Sequence, residues 1–296
     1  MERIGWIGLG LMGSRMLPHL LRAGHPATIY ARNPSSALVF LEAGAVQVET
    51  PTAVAAASDV VFTIVSMPAD VEAVYLGPDG LLAGARPGSI LVDMTTSSPE
   101  LARQIAAAGE AAGLNVLDAP VSGGPSGAET ASLSIMIGGR DEVVARVRPI
   151  LERLGTAVVH QGPAGAGQSA KIANQIAAGG SMLGICEAFL FAEASGLDSE
   201  AVLETLGAGI AGSGLMRFIW PRIAAGDLEP GFRVEHLIKD LGLALEAGHM
   251  STIALPGTAL VKELYHAVQA AGYTGKGTQA LITALDRHWD KRKDSP

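Results

Sequence analysis

The sequence is poor in the features that mark secreted, metal-bound or nucleic-acid-binding proteins. Its one cysteine is Cys186, so no disulfide can close within the chain and a reducing compartment, the cytoplasm, is expected. Cys186 lies in an apolar stretch and reads as a small core residue. Only 17% of the 296 residues are charged, and acids outnumber bases to leave a formal net charge of −8. That balance argues against nucleic-acid affinity built on clustered Lys and Arg. It also requires a local positive site to draw in any anionic substrate. The N-terminal apolar run is too short for a signal peptide and soon breaks into glycines. The most apolar later stretch, Ile172 to Ala194, contains Asn174, Gln175, Glu187 and Glu193, so it reads as a buried core helix and not a membrane span. The histidines are scattered without metal-ligand spacing, Asp79 sits in no complete calcium loop, and no hydrolase motif occurs. No repeat of fixed period is visible.

What the chain does have, through its first half, is alternation. Residues 3–7 and 27–30 read as short strands around a helix over 12–23. The apolar runs at 58–68 and 88–96 read as buried strands of a parallel sheet, with a helix at 99–113 after them. Residues 114–120, 131–139 and 156–160 extend the strand pattern. Strands alternating with helices imply a doubly wound α/β domain of Rossmann type. After His160 the glycine-rich stretch 161–167 intervenes, and helical periodicity dominates beyond it, with breaks near 207–214, 226–231, 255–257 and 272–277. The expected organisation is an α/β domain over 1–161 and an all-α domain over 162–296.

The stretch GWIGLGLMGSRM carries the first chemistry. Gly8, Gly10 and Gly13 fit the G-x-G-x-x-G spacing between a strand and a helix. The first glycine makes the tight turn, the second admits a pyrophosphate, and the third lets helix and strand pack closely. The turn residues Gly8, Leu9, Gly10, Leu11, Met12 and Gly13 are therefore the expected dinucleotide contacts. An NAD-preferring site usually has an acid at the end of the second strand. Here that strand runs into YARNPSS, with no acid before Glu42 and with Arg32 placed to pair with a 2′-phosphate. NADP is favoured, with NAD as the alternative.

Six segments occur in one order: GWIGLGLMGSRM, SMPADVEAVYLGPDGLL, DMTTSSP, DAPVSGGPSGAETASLSIMIGG, GAGQSAKIANQ and PGFRVEHLIKDLGLAL. Through them the chain resembles the β-hydroxyacid dehydrogenase family over essentially its full length. Within that family, KIANQ and AGSG…PGFRVEHLIKDL are most similar to the tartronate semialdehyde reductase branch. The resemblance implies an NADP(H)-dependent reductase of small aldehyde acids working by direct hydride transfer without a metal. The favoured substrate is tartronate semialdehyde, giving glycerate. The alternatives are 3-hydroxyisobutyrate oxidation, glyoxylate or succinic semialdehyde reduction, imine reduction, and cofactor binding without turnover.

The resemblance also assigns residues. Lys171 would polarise the carbonyl and protonate the alkoxide, since hydride addition leaves negative charge on that oxygen. Ser122, Gly123 and Gly124 would hold the substrate acid group. Thr96, Met67 and Pro68 would lie near the nicotinamide and ribose. Lys239 would reach the cofactor, Asp240 would border the site and Phe232 would wall the pocket. Many relatives carry Asn four residues after the lysine. Here Gln175 stands there with Asn174 before it, so either amide could contact substrate. Near the C-terminus, where many members carry an aspartate, this chain has Gly277. The apolar 167–195 helix, rich in small residues, leads us to expect a homodimer or homotetramer.

Overall fold

A computed structural model describes residues 1–286 and Trp289; the end of the expected second domain lies outside them. The chain forms two compact units, Met1–Lys171 and the residues from Ile172 onward. The first unit is built on nine strands: β1 (Ile4–Ile7), β2 (Ala27–Tyr30), β3 (Val46–Gln47), β4 (Val60–Thr63), β5 (Ile90–Asp93), β6 (Asn115–Asp118), β7 (Val121–Ser122), β8 (Leu133–Gly138) and β9 (Gly155–Gly162). Their order is β3-β2-β1-β4-β5-β6-β8-β7, with β9 against β8. From β3 to β6 all neighbours are parallel. Past β6 the sheet reverses: β8 runs antiparallel to β6 and to β7, while β9 returns parallel to β8.

The central strands are buried on both faces, as crossover helices require. In register, Ile4, Val60 and Ile90 are partners, as are Trp6, Phe62 and Val92. These side chains join one core cluster. Ile7, Val61 and Leu91 belong to another, together with Tyr75, Leu101 and Ile105. The period-2 alternation thus divides one continuous apolar run between two cores. Just before β1 and β4, the Arg3 guanidinium grips the Asp59 carboxylate, with Nε 3.0 Å from Oδ2. The pair sits where the register begins.

Helix starts follow local chemistry. Thr50 and Ser98 accept from the N–H groups of Ala53 and Leu101, and each is followed by a proline in the first helical turn. The capping explains why two strands are shorter than the apolar runs suggest. Ser58 bonds back to the Val54 carbonyl at 2.7 Å, so β4 starts only at Val60, and Pro68 already opens a helix. Likewise β5 stops at Asp93. Two short strands, β3 and β7, and the helix Gly124–Glu129 fall in stretches that lack a strand or helix signature.

The helix Ala166–Ala194 runs from one unit into the other. The first unit takes in the start of this helix, which bonds to the sheet (below). By length and composition this helix could cross a membrane. It is not the fully buried element its composition suggests. Ala173, Ala177, Gly180, Gly184, Glu187 and Phe191 form an exposed stripe, opposite Gln175, Met182, Ile185, Cys186 and Phe189. The latter four join Trp220, Leu237, Leu241 and Tyr265 in the core of the second unit, whose main helices are Ser199–Ala208, Gly214–Ala225, Val234–Met250 and Pro256–Ala270.

One polar cluster is sealed inside the sheet. Asp93 Oδ1 accepts from Thr63 Oγ1 and from the Thr95 N–H, both at 3.0 Å, and Thr63 also bonds the Tyr75 hydroxyl. Burial pushes the Asp93 carboxyl from 3.8 up to about 6, against the pull of those donors. A carboxyl raised on folding binds a proton more tightly in the folded state. Its stabilising contribution is full below the unfolded value and is lost as pH rises through about 6. Asp93→Asn keeps the Oδ1 acceptor and removes the charge. It is expected to exceed the wild type in stability by roughly 1–3 kcal/mol at pH 8, with the gap closing toward pH 4. Denaturant unfolding at both pH values checks this, and a gap independent of pH would count against it.

Candidate functional site

The order β3-β2-β1-β4-β5-β6 places a topological switch between β1 and β4, and the glycine turn follows β1 at that point. The three glycines have different reasons to be there. Gly8 has φ +103 and lies against the Ile64 carbonyl, where a Cβ would collide. A Cβ on Gly13 would strike the Gly8 carbonyl oxygen. Gly10 has no neighbour within 4 Å of its Cβ position, so the fold itself does not require a glycine there. That open space fits an approaching pyrophosphate. The helix Gly13–Arg22 has no side-chain cap and no acid in its first turn, which leaves its positive end available to an anion. Leu9 and Met12 pack toward the core, and Leu11 is exposed.

Arg32 follows β2 and is largely exposed. Its Nη1 lies 2.9 Å from Asp70 Oδ1, while Asp70 Oδ2 accepts the Met67 N–H at 3.1 Å. The ion pair thus joins Arg32 to the Met67–Pro68 helix start after β4. Asn33 caps the next turn by accepting from the Ser35 N–H and hydroxyl. Tyr30, Ala31, Arg32, Pro34, Gln47, Val48 and Glu49 line an open cleft of about 370 Å³. Glu49 brings a carboxylate into this cleft. The reading along the chain after β2 missed it because it arrives from beyond the neighbouring strand β3.

The ends of β5 and β6 are tied to the helix that carries Lys171. Asp93 and Asp118 are register partners at the carboxyl ends of these strands. Asp118 Oδ1 accepts the Gly165 N–H and Oδ2 the Gln168 N–H, each at 2.8 Å. Burial pushes the Asp118 carboxyl up from its ordinary value, opposed by these backbone donors. A Cβ on Gly138 would run into the Asp118 carboxylate, and one on Gly167 into the carbonyls of Met136 and Asp118. Gly167 of GAGQ and Gly138 of β8 are therefore the residues that let the helix start touch the sheet. Lys171 follows in the next turn, almost wholly buried. Thr96, half-buried, lies on the loop between β5 and the helix Pro99–Ala111. Ser122 ends β7, and Gly123 and Gly124 turn the chain into the next helix with φ of 129 and 61. Nothing lies within 4 Å of the Gly124 Cβ position.

In the second unit, Gln175 and Asp240 are buried and joined, with Nε2 donating to Oδ2 at 2.6 Å. Lys239 Nζ lies 3.0 Å from Asp240 Oδ1, and Asn174 donates to Gln175 Oε1 at 2.8 Å. Asn174, Gln175, Asp240 and Lys239 therefore form one chain of polar contacts. Gln175 is engaged on both sides of its amide, while Asn174 is only half-buried. Phe232 is partly exposed and packs 6.0 Å from the His236 ring. Burial and the nearby Lys239 charge lower the His236 pKa, favouring a neutral imidazole. Gly277 donates its N–H to the Leu228 carbonyl and bridges Arg233. Among the described residues, no three His, Cys, Asp or Glu side chains gather as a metal site.

Asp70, Asp93, Asp118 and Gln168 escaped the reading along the chain. The available signal was positional: Asp93 and Asp118 are acids that end buried apolar strands, where an unexplained charge needs a partner.

Comparison with known proteins agrees with this architecture. The NAD binding domain of 6-phosphogluconate dehydrogenase matches residues 3–162. The NAD-binding domain of NADP-dependent 3-hydroxyisobutyrate dehydrogenase matches residues 165–285. A probable mitochondrial 3-hydroxyisobutyrate dehydrogenase-like protein of Arabidopsis thaliana is 45% identical, over 96% of this chain and 85% of that one. The 2-hydroxy-3-oxopropionate reductase of Escherichia coli is 38% identical, over 96% and 97%. The structure of Mycobacterium tuberculosis 3-hydroxyisobutyrate dehydrogenase with L-serine superposes with a TM-score of 0.87 at 32% identity, covering 96% and 99%.

The glycine geometry separates folding from binding. Gly10→Ala is expected to fold with an unchanged melting temperature yet bind NADPH at least about tenfold more weakly, because the methyl group occupies phosphate space. Gly8→Ala is expected to lose roughly 2 kcal/mol or more of stability from the carbonyl collision and the positive φ. Thermal melts beside fluorescence titration test both, and unchanged NADPH affinity in Gly10→Ala would refute the assignment.

Proposed function

The chain belongs to the β-hydroxyacid dehydrogenase family of NAD(P)-dependent oxidoreductases acting on CH–OH groups, and from that we propose that it reduces small aldehyde acids with NADPH. The favoured substrate is tartronate semialdehyde, with glycerate as product. The observation that carries the reading is Lys171, an almost wholly buried ammonium-bearing residue on a helix turn anchored to the ends of β5 and β6. The residues KIANQ and the similarity to the Escherichia coli reductase support the substrate. A second reading, oxidation of 3-hydroxyisobutyrate, is supported by the similarity to the Mycobacterium tuberculosis and Arabidopsis proteins.

In this reading a nicotinamide dinucleotide bound at the glycine turn supplies the hydride. Gly10 and the uncapped helix start receive its pyrophosphate, Met67, Pro68 and Thr96 are its further contacts in the first unit, and Arg32 pairs with its 2′-phosphate. To do so Arg32 exchanges one anion, Asp70, for another. An exposed ion pair of this kind is worth at most about 1 kcal/mol, so the exchange costs little. The description of the second family model as NADP-dependent supports the preference. Ser122 Oγ and the backbone at Gly123 and Gly124 hold the substrate carboxylate, with no Cβ to block its approach. Lys171 donates a hydrogen bond to the carbonyl oxygen and then the proton that turns the alkoxide into a hydroxyl. Within the second unit Gln175 bonds both Asn174 and Asp240, and Asp240 pairs with Lys239. The family resemblance gives Asn174 or Gln175, Phe232 and Asp240 to the substrate and Lys239 to the cofactor.

The exposed stripe from Ala173 to Phe191 suits a second copy of this chain. Small side chains allow close helix approach, and the apolar Phe191 terminates the stripe. Light scattering is expected to give a dimer or tetramer that Phe191→Glu weakens. A fully active wild-type monomer at dilution would contradict the assembly.

The function is tested with purified enzyme, both cofactors and a panel of aldehyde acids and hydroxy acids. Lys171→Ala is expected to lower kcat by at least about 10²-fold while the NADPH Kd barely moves. In the same panel Arg32→Ala should raise KM for NADPH far more than for NADH. Near-normal turnover in Lys171→Ala would overturn the mechanism, and equal effects of Arg32→Ala on both cofactors would overturn the NADP preference.

A further inference from the structure

We propose that Gln168 is a positioning residue, whose side-chain amide fixes the helix turn carrying Lys171 to the loop carrying Thr96. The proposal rests on the reading that Lys171 delivers the proton. Gln168 is completely buried, and its side chain makes two hydrogen bonds. Oε1 accepts the Ser97 N–H at 2.9 Å, and Nε2 donates to the Thr95 carbonyl at 2.7 Å. Both partners belong to the same short loop, and they flank Thr96. The amide has only one orientation that satisfies a donor and an acceptor together, so the bonding pattern is specific to glutamine.

The backbone of Gln168 is held as well. Its N–H donates to Asp118 Oδ2, and Asp118 ends β6. One residue thus ties the ends of β5 and β6 to the first turn of the helix. Lys171 is three residues further on, one turn along the same helical face. A buried amide costs free energy unless its groups are all paired. A cavity-filling apolar side chain would serve packing alone. What glutamine adds is resistance to sliding: the helix turn carrying Lys171 cannot shift against the Thr95–Ser97 loop, which continues β5, without breaking two buried bonds. A displacement of about 1 Å in a reacting group can cost about 10²-fold in rate, which sets the scale of the effect.

The test compares Gln168→Met and Gln168→Glu with Lys171→Ala and the Gln168→Met/Lys171→Ala double variant. Methionine fills the volume without either hydrogen bond. Glutamate keeps the acceptor for Ser97 but turns an oxygen toward the Thr95 carbonyl. Both single variants are expected to lower kcat by about 10–10²-fold, with KM and Kd for NADPH within about twofold of wild type. The double variant should turn over no more slowly than Lys171→Ala alone, since a residue acting through Lys171 has nothing left to position. Melting curves establish that each variant is folded at the assay temperature, and if Gln168→Met is not, Gln168→Glu carries the comparison. Retained kcat in the Gln168 variants, with Lys171→Ala crippled, overturns this inference and leaves the proposed function standing. Losses that multiply in the double variant also overturn it. Retained turnover in Lys171→Ala instead refutes the proposed function, and the positioning role with it.

Discussion

The contact on which the first unit most depends is the Asp118 carboxylate receiving the N–H groups of Gly165 and Gln168. A helix start carries donors that its own backbone cannot satisfy, and here the start is packed onto a sheet where water cannot serve. A carboxylate at the end of β6 meets that need and draws stability from the helix dipole. The requirement propagates outward. Gly138 and Gly167 must lack side chains because the carboxylate and the strand carbonyls occupy the space. Gln168 must then face the Thr95–Ser97 loop, and Lys171 falls in the turn that follows.

Much of this was legible in the sequence where a pattern has a single physical meaning. Gly8, Gly10 and Gly13 between a strand and a helix announced the nucleotide turn, and unbroken apolar runs announced strands covered on both faces. The reversal of β8 was not legible, because parallel and antiparallel strands of this length share the same residue types. The helix Gly124–Glu129 was hidden by its composition: GPSGAE has low helix propensity and is helical only through its surroundings. Glu49 lines the cleft after β2 and Asp70 holds its Arg32, but the fold brings both there from later positions in the chain. For the same reason Gln168 looked like one polar residue in a glycine-rich joint. Its significance lies in partners far earlier in the chain, at Thr95 and Ser97.

The carboxyl edge of the sheet concentrates acids in a protein already negative overall, although the proposed ligands are themselves anions. These acids are accommodated in more than one way. Asp70 is paired with Arg32, while burial pushes both Asp93 and Asp118 upward, Asp93 against the donors of Thr63 and Thr95 and Asp118 against the N–H groups of Gly165 and Gln168. The second unit uses a further arrangement, an ammonium and an amide on either side of Asp240. Net charge is therefore a poor guide to the potential at this edge, where uncapped helix N–H groups and Arg32 supply the positive field.

The strand order has a consequence for the ribosome. β1 precedes both β2 and β4 in the chain, yet it becomes the interior strand between them. Its second neighbour exists only once Thr63 has been added. At about 5–20 residues per second, several seconds separate the two events. Throughout that interval the nascent chain carries Ile4, Trp6 and Ile7 on a strand with one edge unfilled, a natural template for wrong pairing. Residues that end buried in the sheet thus begin as exposed, adhesive ones.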